Sequence, residues 1–354
     1  MITVAILGAG IGREHLEAYR ALPDFFQVAY IIDRDLDKAA EICGTQDISV
    51  RDDLDVAIHD PDVDLIDVCL PPHLHVPVTI QALAAGKHVI CEKPIATSMA
   101  DAQKLKRASD AAERFVFPVF QYRWGPAFAQ LRHLVKSGLT GAPHMAAIET
   151  HWSRDDSYYA VPWRGTWAGE QGGAVLGHAI HNHDMLTQFM GPVRAVSAMT
   201  ATRINDIETE DCGAVTFQFE NGALATSSIT LGAATDETRL RFVFENLTAT
   251  SGTTPYAPGQ SEWTFTARSP RTQPEIDAAL KGVRPEHAGF AGFLTQVAGR
   301  LNGAPHQAVS LAEGADSIAL VTAIYHAAKT GERVQLPLDE THESYAGWCP
   351  APDL

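Results

Sequence analysis

Residues 3–12 constrain this chain more than any other segment. The apolar run Thr3–Leu7 passes directly into Gly8-Ala9-Gly10-Ile11-Gly12, and a helical pattern, Arg13–Leu22, follows. Strand, glycine turn and helix in that order open a βαβ unit. The glycines allow a tight turn and let backbone N–H groups approach a pyrophosphate at the helix N-terminus. The third glycine comes one residue earlier than in the usual G-x-G-x-x-G spacing. Asp33 closes the next strand-like run, Gln27–Asp33, 21 residues after Gly12. An acidic side chain there hydrogen-bonds adenosine ribose hydroxyls and repels the 2′-phosphate of NADP, which favours NAD. Arg34 follows at once and is a clamp for that same phosphate, so NADP stays open. The turn supplies no Lys and only Arg13 nearby, so helix-end amides are expected to hold the pyrophosphate.

The alternation continues. Further strand-like runs are Asp64–Leu70, Lys87–Glu92 and Phe115–Gln121, and further helical patterns are Leu36–Cys43, Leu74–Ala85 and Ser98–Ala112. Ser98 stands three residues before Asp101 and is a candidate helix cap. Short, continuously apolar strands separated by helices predict a parallel sheet covered on both faces. After Gly125 the pattern changes. A helix is expected at Pro126–Ser137, a strand near His144–His151, and strands at Cys212–Phe219, Ala223–Leu231, Arg239–Ala249 and Ser261–Arg268. Asn221-Gly222 predicts a two-residue hairpin in which both turn residues take positive φ. Thr248–Gln260 reads as a loop or hairpin tip, and helices follow at Gly289–Leu301 and Leu311–Thr330. The expected fold class is α/β. A dinucleotide-binding, doubly wound parallel sheet (residues 1–122) precedes an α+β domain with an open, mainly antiparallel sheet (residues 123–354), assigned to substrate binding and oligomerisation, with the option that its last segment packs back on the first domain.

Composition narrows the function classes. The chain has 354 residues, 45% of them hydrophobic and 20% charged, which suits about two globular domains. Its net charge of −16 disfavours nucleic acid or an anionic membrane as partner. No apolar stretch is long enough to span a membrane and the start lacks a signal-peptide pattern. The five cysteines are scattered, which argues for reduced thiols and a cytoplasmic location.

Two segments add a specific resemblance. Lys87-His88-Val89-Ile90-Cys91-Glu92-Lys93-Pro94 resembles the Glu-Lys-Pro signature of the Gfo/Idh/MocA oxidoreductases. Asp67-Val68-Cys69-Leu70-Pro71-Pro72-His73-Leu74-His75 is similar to the segment closing that family's nicotinamide pocket. Gln121–Pro126, Gly172–Leu176 with His181 and Asp184, and the tail Ser310–Leu336 match in the same order. The resemblance implies hydride transfer between NAD(P) and a ring hydroxyl of a sugar, glycoside or cyclic polyol. It places Leu70, Pro71, His75, Glu92, Lys93 and Gln121 with Gly8, Gly10, Ile11, Gly12, Asp33 and Arg34 at the cofactor. The chemistry needs a base for the hydroxyl proton and a cation for the forming alkoxide. Lys93 matches the family's lysine and His181 its histidine. The family's aspartate, four residues before that histidine, is here Gly177, which enlarges the pocket; His178 comes next. His178 and His181, three apart on a helix, are both expected to face the cleft. That spacing also permits a metal, whereas the resemblance implies none.

Trp152, Tyr158, Tyr159, Trp163, Arg164 and Trp167 crowd one loop-like segment and read as a sugar-binding lid, because aromatic faces stack on sugar C–H groups. Arg123 and Arg164 either read a carboxylate or sulfonate on the substrate or pair with Asp155, Asp156 or Glu170. The substrate-site set is Arg123, Trp152, Tyr159, Trp163, Arg164, His178 and His181. Two other readings stay open. One is an NAD-dependent glycosidase acting by transient oxidation, elimination and re-reduction. The other is a non-enzymatic dinucleotide-binding regulator. A homo-oligomer joined through the open sheet face is also expected.

Overall fold

The computed structural model describes residues 1–45 and 47–350. The last four residues of the expected 123–354 domain lie outside the described residues. The chain separates into two compact units, residues 1–120 with 290–318, and residues 121–289 with 319–354. No helix among the described residues is long and apolar enough to cross a membrane.

The first unit carries six strands: β1 (Ile2–Leu7), β2 (Phe26–Ile32), β3 (Ser49–Arg51), β4 (Leu65–Val68), β5 (His88–Cys91) and β6 (Val116–Pro118). Every neighbouring pair is parallel and the spatial order is β3-β2-β1-β4-β5-β6. That is the doubly wound Rossmann order. β1, β4 and β5 are apolar and buried along almost their whole length, because helices cover both faces of such a sheet. Asp67 alone interrupts β4 with a charge. Ser98 caps the helix Met99–Ala112, its hydroxyl accepting the Asp101 N–H at 3.0 Å. The short edge strand β3 and the helix Leu54–Ile58 were not expected. Their sequence is half polar, and an edge position needs no apolar run.

The second unit holds an eight-stranded sheet: β7 (Pro143–Ser153), β8 (Val193–Ala201), β9 (Cys212–Phe219), β10 (Leu224–Thr230), β11 (Gly232–Phe244), β12 (Leu247–Thr250), β13 (Thr264–Ala267) and β14 (Val334–Gln335). Its order is β13-β12-β11-β7-β10-β9-β8-β14, antiparallel throughout except for the parallel pair β7–β10. Buried and exposed residues alternate along β10, so one sheet face meets the core and the other is open.

Three expectations change here. The hairpin joining β9 and β10 has three loop residues, since Phe219 N–H donates to Ala223 O and Gly222 N–H donates to Phe219 O. Only Gly222 takes positive φ, at +90°; Asn221 does not. A regular turn followed by one left-handed glycine closes the hairpin, which is the three-residue solution rather than the two-residue one. The single strand expected over 239–249 is two, with Glu245 and Asn246 turning β11 back into β12. The helix Gln273–Leu280 was not expected, although Thr272 and Glu275 form a capping box at its start.

Candidate active site

In the first sheet the strand order reverses between β1 and β4, and a Rossmann sheet opens its ligand crevice beyond the C-terminal ends of strands at that point. The three glycines after β1 have different reasons to be there. Gly8 takes φ +105°, and a Cβ on it would stand 2.4 Å from the Cys69 carbonyl oxygen. A Cβ on Gly12 would stand 2.8 Å from Ile6 Cγ2. Packing therefore demands both. At Gly10 the nearest atom to such a Cβ is Lys38 Nζ, 3.8 Å away, so packing demands nothing. The bare backbone at Gly10 adjoins the helix Gly12–Arg20, whose N-cap residue Ile11 supplies no side-chain cap. Bare backbone beside uncapped helix-end amides fits a pyrophosphate. Lys38 corrects the expectation that only Arg13 lies near this turn. It comes from a helix that follows β2, so no local spacing reveals it, and Arg13 is itself paired with Glu41 at 2.9 Å.

Asp33 braces the same turn. Its Oδ2 accepts the Ala9 N–H at 2.7 Å and its Oδ1 accepts the Asp35 N–H at 3.0 Å. Each carboxylate oxygen keeps further acceptor capacity, so bracing and ribose binding are compatible. Arg34 beside it is exposed. Residues Gly8–Gly12 with Asp33 thus fit the adenosine and pyrophosphate parts of NAD.

Beyond β4 and β5, His75 ties two loops together. Its buried ring stands 2.7 Å from Leu70 O at Nε2 and 2.7 Å from Pro94 O at Nδ1. Burial lowers its pKa. Glu92 is buried beside Lys93; its Oε2 accepts the Lys93 N–H at 3.1 Å and its Oε1 stands 3.0 Å from His15 Nε2. His15 Nδ1 stands 2.8 Å from Asp67 Oδ2, which also accepts the Tyr19 hydroxyl at 2.8 Å. Burial pulls the His15 pKa down, but the Asp67 carboxylate beside it prevails and holds the value well above the ordinary 6.5. Burial pushes the Glu92 pKa up; the bond to His15 outweighs it and the net shift is downward. Sequence reasoning missed this buried network of His15, Tyr19, Asp67 and Glu92. The available signal was Asp67 itself, a carboxylate in the middle of an apolar strand. Among the described residues, His15, Asp67 and Cys69 are the trio with metal-ligand spacing, all buried.

The remaining predicted residues belong to the second unit, where Gln121 opens the short turn Gln121–Arg123. Arg123 forms a buried two-pronged pair with Asp184, Nε to Oδ2 at 2.8 Å and Nη2 to Oδ1 at 2.6 Å. Asp184 lies on the helix Ile180–Met190, which a π-helical turn, Val175–Ala179, precedes. Such wide turns are rare and often mark functional sites, and no sequence pattern announces them. Glu210 anchors the start of this segment: its Oε1 accepts the Val175 N–H at 2.9 Å and the Tyr325 hydroxyl at 2.8 Å. Burial pushes its carboxyl up to about 7. The regular-helix expectation for His178 and His181 does not carry across the π turn. His178 packs edge-on to Trp152 at 5.3 Å, with Tyr158 Oη 3.5 Å from its Nε2; His181 stacks on Tyr122 at 4.3 Å. His183 points to the sheet, its Nε2 3.0 Å from Ser227 Oγ. A Cβ at Gly177 would meet nothing within 4 Å.

The aromatic segment is less loop-like than expected. Trp152 belongs to β7 and is buried, with its indole N–H donating to Thr238 Oγ1 at 3.1 Å. Tyr159 lies on a one-turn helix, Asp156–Tyr159, and Trp167 starts another, Trp167–Glu170. Arg164 lies over the Tyr158 ring at 3.8 Å, with Trp163 at 5.2 Å.

Comparison with known proteins agrees with this architecture. Residues 2–120 match the Gfo/Idh/MocA family model described as an oxidoreductase family with NAD-binding Rossmann fold. Residues 128–250 match the C-terminal domain model of the same family. The chain is 30% identical to levoglucosan dehydrogenase of Pseudarthrobacter phenanthrenivorans over 60% of its own length and 57% of that protein. It is 29% identical to an uncharacterized oxidoreductase of Bacillus subtilis over 63% of its own length and 65% of that protein. It thus spans less than two thirds of these curated relatives. The crystal structure of the WlbA dehydrogenase from Bordetella pertussis, solved with NADH and UDP-GlcNAcA, superimposes with a TM-score of 0.83 at 28% identity, covering 96% of this chain and 99% of that one.

Proposed function

The chain belongs to the Gfo/Idh/MocA oxidoreductase family, with an NAD-binding Rossmann domain, and on that premise we propose that it transfers hydride between nicotinamide and a ring hydroxyl of a sugar, glycoside or cyclic polyol. The observation that carries the proposal is the anchoring of Lys93. It follows β5 in a Rossmann sheet, its backbone N–H held by the buried Glu92 carboxylate. A lysine whose backbone is so fixed at the end of an interior strand can hold a positive charge for an alkoxide developing on the substrate. His181 takes the hydroxyl proton, for which a histidine is suited near neutral pH. Arg123 and Asp184 position the helix that bears it. Gly8, Gly10, Ile11, Gly12 and Asp33 would hold NAD, with Leu70, Pro71, His75, Glu92 and Gln121 toward the nicotinamide, where the bound cofactor supplies the hydride acceptor. The relatives that act on levoglucosan and myo-inositol, and the neighbour solved with a nucleotide-linked sugar acid, support a carbohydrate substrate.

A panel of sugars, glycosides and cyclic polyols with NAD and NADP, read by NADH absorbance and by aglycone release, tests the proposal. Net NADH formation is expected. Lys93→Ala and His181→Ala should each lower turnover by at least 100-fold while Asp33→Ala chiefly weakens NAD binding. Aglycone release without net NADH would move the assignment to the oxidation–elimination glycosidase, for which the open space beside Gly177 leaves room. Function unaltered by Lys93→Ala would identify a dinucleotide-binding regulator instead.

A further inference from the structure

The segment around residue 160 holds two arginines against one tyrosine, and they differ in how their charge is met. Arg154 lies 5.0 Å from the Tyr158 ring centre and Arg164 lies 3.8 Å from it. Arg154 is neutralised: its Nη1 lies 3.3 Å from Asp236 Oδ2, and its Nη2 donates to Tyr256 Oη at 3.2 Å. Arg164 has no such arrangement. The Nε of each arginine is buried without a hydrogen-bond acceptor, but among the described residues only Arg154 of the two is ion-paired with a carboxylate. Two of the three acids that sequence reasoning offered as partners are engaged elsewhere. The Asp155 carboxylate accepts the Ser157 and Tyr158 N–H groups, and the Glu170 carboxylate accepts the Gly165 N–H at 2.6 Å.

The acidity of the chain sharpens this observation. With 43 acidic residues against 27 basic ones, anions for pairing are plentiful. A guanidinium without a carboxylate partner keeps its charge for an anionic ligand. Stacking on Tyr158 fixes the guanidinium plane, so its donors are oriented in advance. A contact leads from there to His178. The Tyr158 hydroxyl lies 3.5 Å from His178 Nε2, and His178 precedes His181 by three residues.

We propose that Arg164, held flat against Tyr158, reads a carboxylate carried by the substrate, which makes that substrate an acidic sugar of the uronate class. This rests on the carbohydrate reading above and narrows it. A planar carboxylate accepts two parallel N–H bonds from a guanidinium, a match that a neutral hydroxymethyl group lacks.

Calorimetric titration of the NADH-saturated protein with D-glucuronate and D-glucose, and with D-galacturonate and D-galactose, tests the assignment without requiring turnover. At least one uronate should bind roughly 10- to 100-fold more tightly than its neutral parent. Added salt should narrow that ratio. In Arg164→Gln the ratio should fall toward one, with Arg164→Lys between the two because it keeps the charge but loses the fork. Equal binding of uronate and parent to the wild-type protein overturns the carboxylate site and leaves the carbohydrate reading standing. Binding of neither acid nor parent overturns both. A 6-sulfonated glucose that binds more tightly than glucuronate would replace the carboxylate by a sulfonate. An undiminished ratio in Arg164→Gln would remove Arg164 from the role.

Discussion

His15 in the Rossmann unit and His183 in the sheet unit are both almost wholly buried, yet their surroundings shift their pKa values in opposite directions. His183 meets a serine hydroxyl, and burial lowers its pKa to about 3. His15 suffers the same burial, but Asp67 and Glu92 stand at its two ring nitrogens and its pKa lies well above 6.5. Removal from water penalises a cation in both places; only a carboxylate within hydrogen-bond distance reverses the sign. The difference bears on function. His15 orients the Glu92 carboxylate that holds the Lys93 N–H, whereas His183 fastens the His181 helix to its sheet.

The largest effect separating the two sites should come from truncation. His15→Leu leaves the Asp67 and Glu92 carboxylates buried without their cation and should cost about 3–5 kcal/mol. His183→Leu leaves one hydroxyl unsatisfied and should cost about 1–2 kcal/mol. Amide exchange of β1 and β4 in the first variant, and of β9 and β10 in the second, reads each unit by itself. Equal losses would break the comparison.

The pH response comes next and should have opposite signs. The raised pKa of His15 contributes stability that is full below pH 6.5 and lost as pH rises through its higher folded value. The lowered pKa of His183 contributes stability that is present above pH 6.5 and lost as pH falls toward 3. The ring nitrogen resonances decide the matter: His15 should still be an imidazolium at pH 7.5, and His183 still neutral at pH 5. A neutral His15 at pH 7.5 would show that burial, not the carboxylates, governs that site.

The smallest effect sharpens the cause at His183. Ser227→Ala should cost about 1 kcal/mol in β10 exchange and leave the His183 ring neutral at pH 5, because burial alone lowers its pKa. A ring that becomes charged at pH 5 in this variant would assign the effect to the hydroxyl.

Much of the molecule was legible before any coordinates. The glycine turn, Asp33, the Glu-Lys-Pro segment and most strands and helices are local patterns, each set by residues a few positions apart. The same local logic identified the Ser98 cap, and it failed at the β9–β10 hairpin, where Asn221-Gly222 suits either loop length and strand register chooses. Other features depend on residues far apart in the chain. Lys38 approaches Gly10 from a later helix, and Asp67 finds His15 from 52 positions away. Arg123 meets Asp184 across 61 positions, which turned a candidate substrate contact into an internal ion pair.

The sequence by itself determined a Rossmann unit followed by a mainly antiparallel sheet unit and an NAD-type turn, which follow from backbone periodicity and from side-chain types at short spacing; Lys93 and His181 were singled out by the family resemblance. Tertiary structure alone decided which charges are spent and which remain available. It paired Arg123 and Arg154 with carboxylates, left Arg164 on its tyrosine with no ion pair among the described residues, and shifted the pKa values of two buried histidines in opposite directions. Charge state depends on burial and on neighbours brought together by folding, and neither is a property of local sequence.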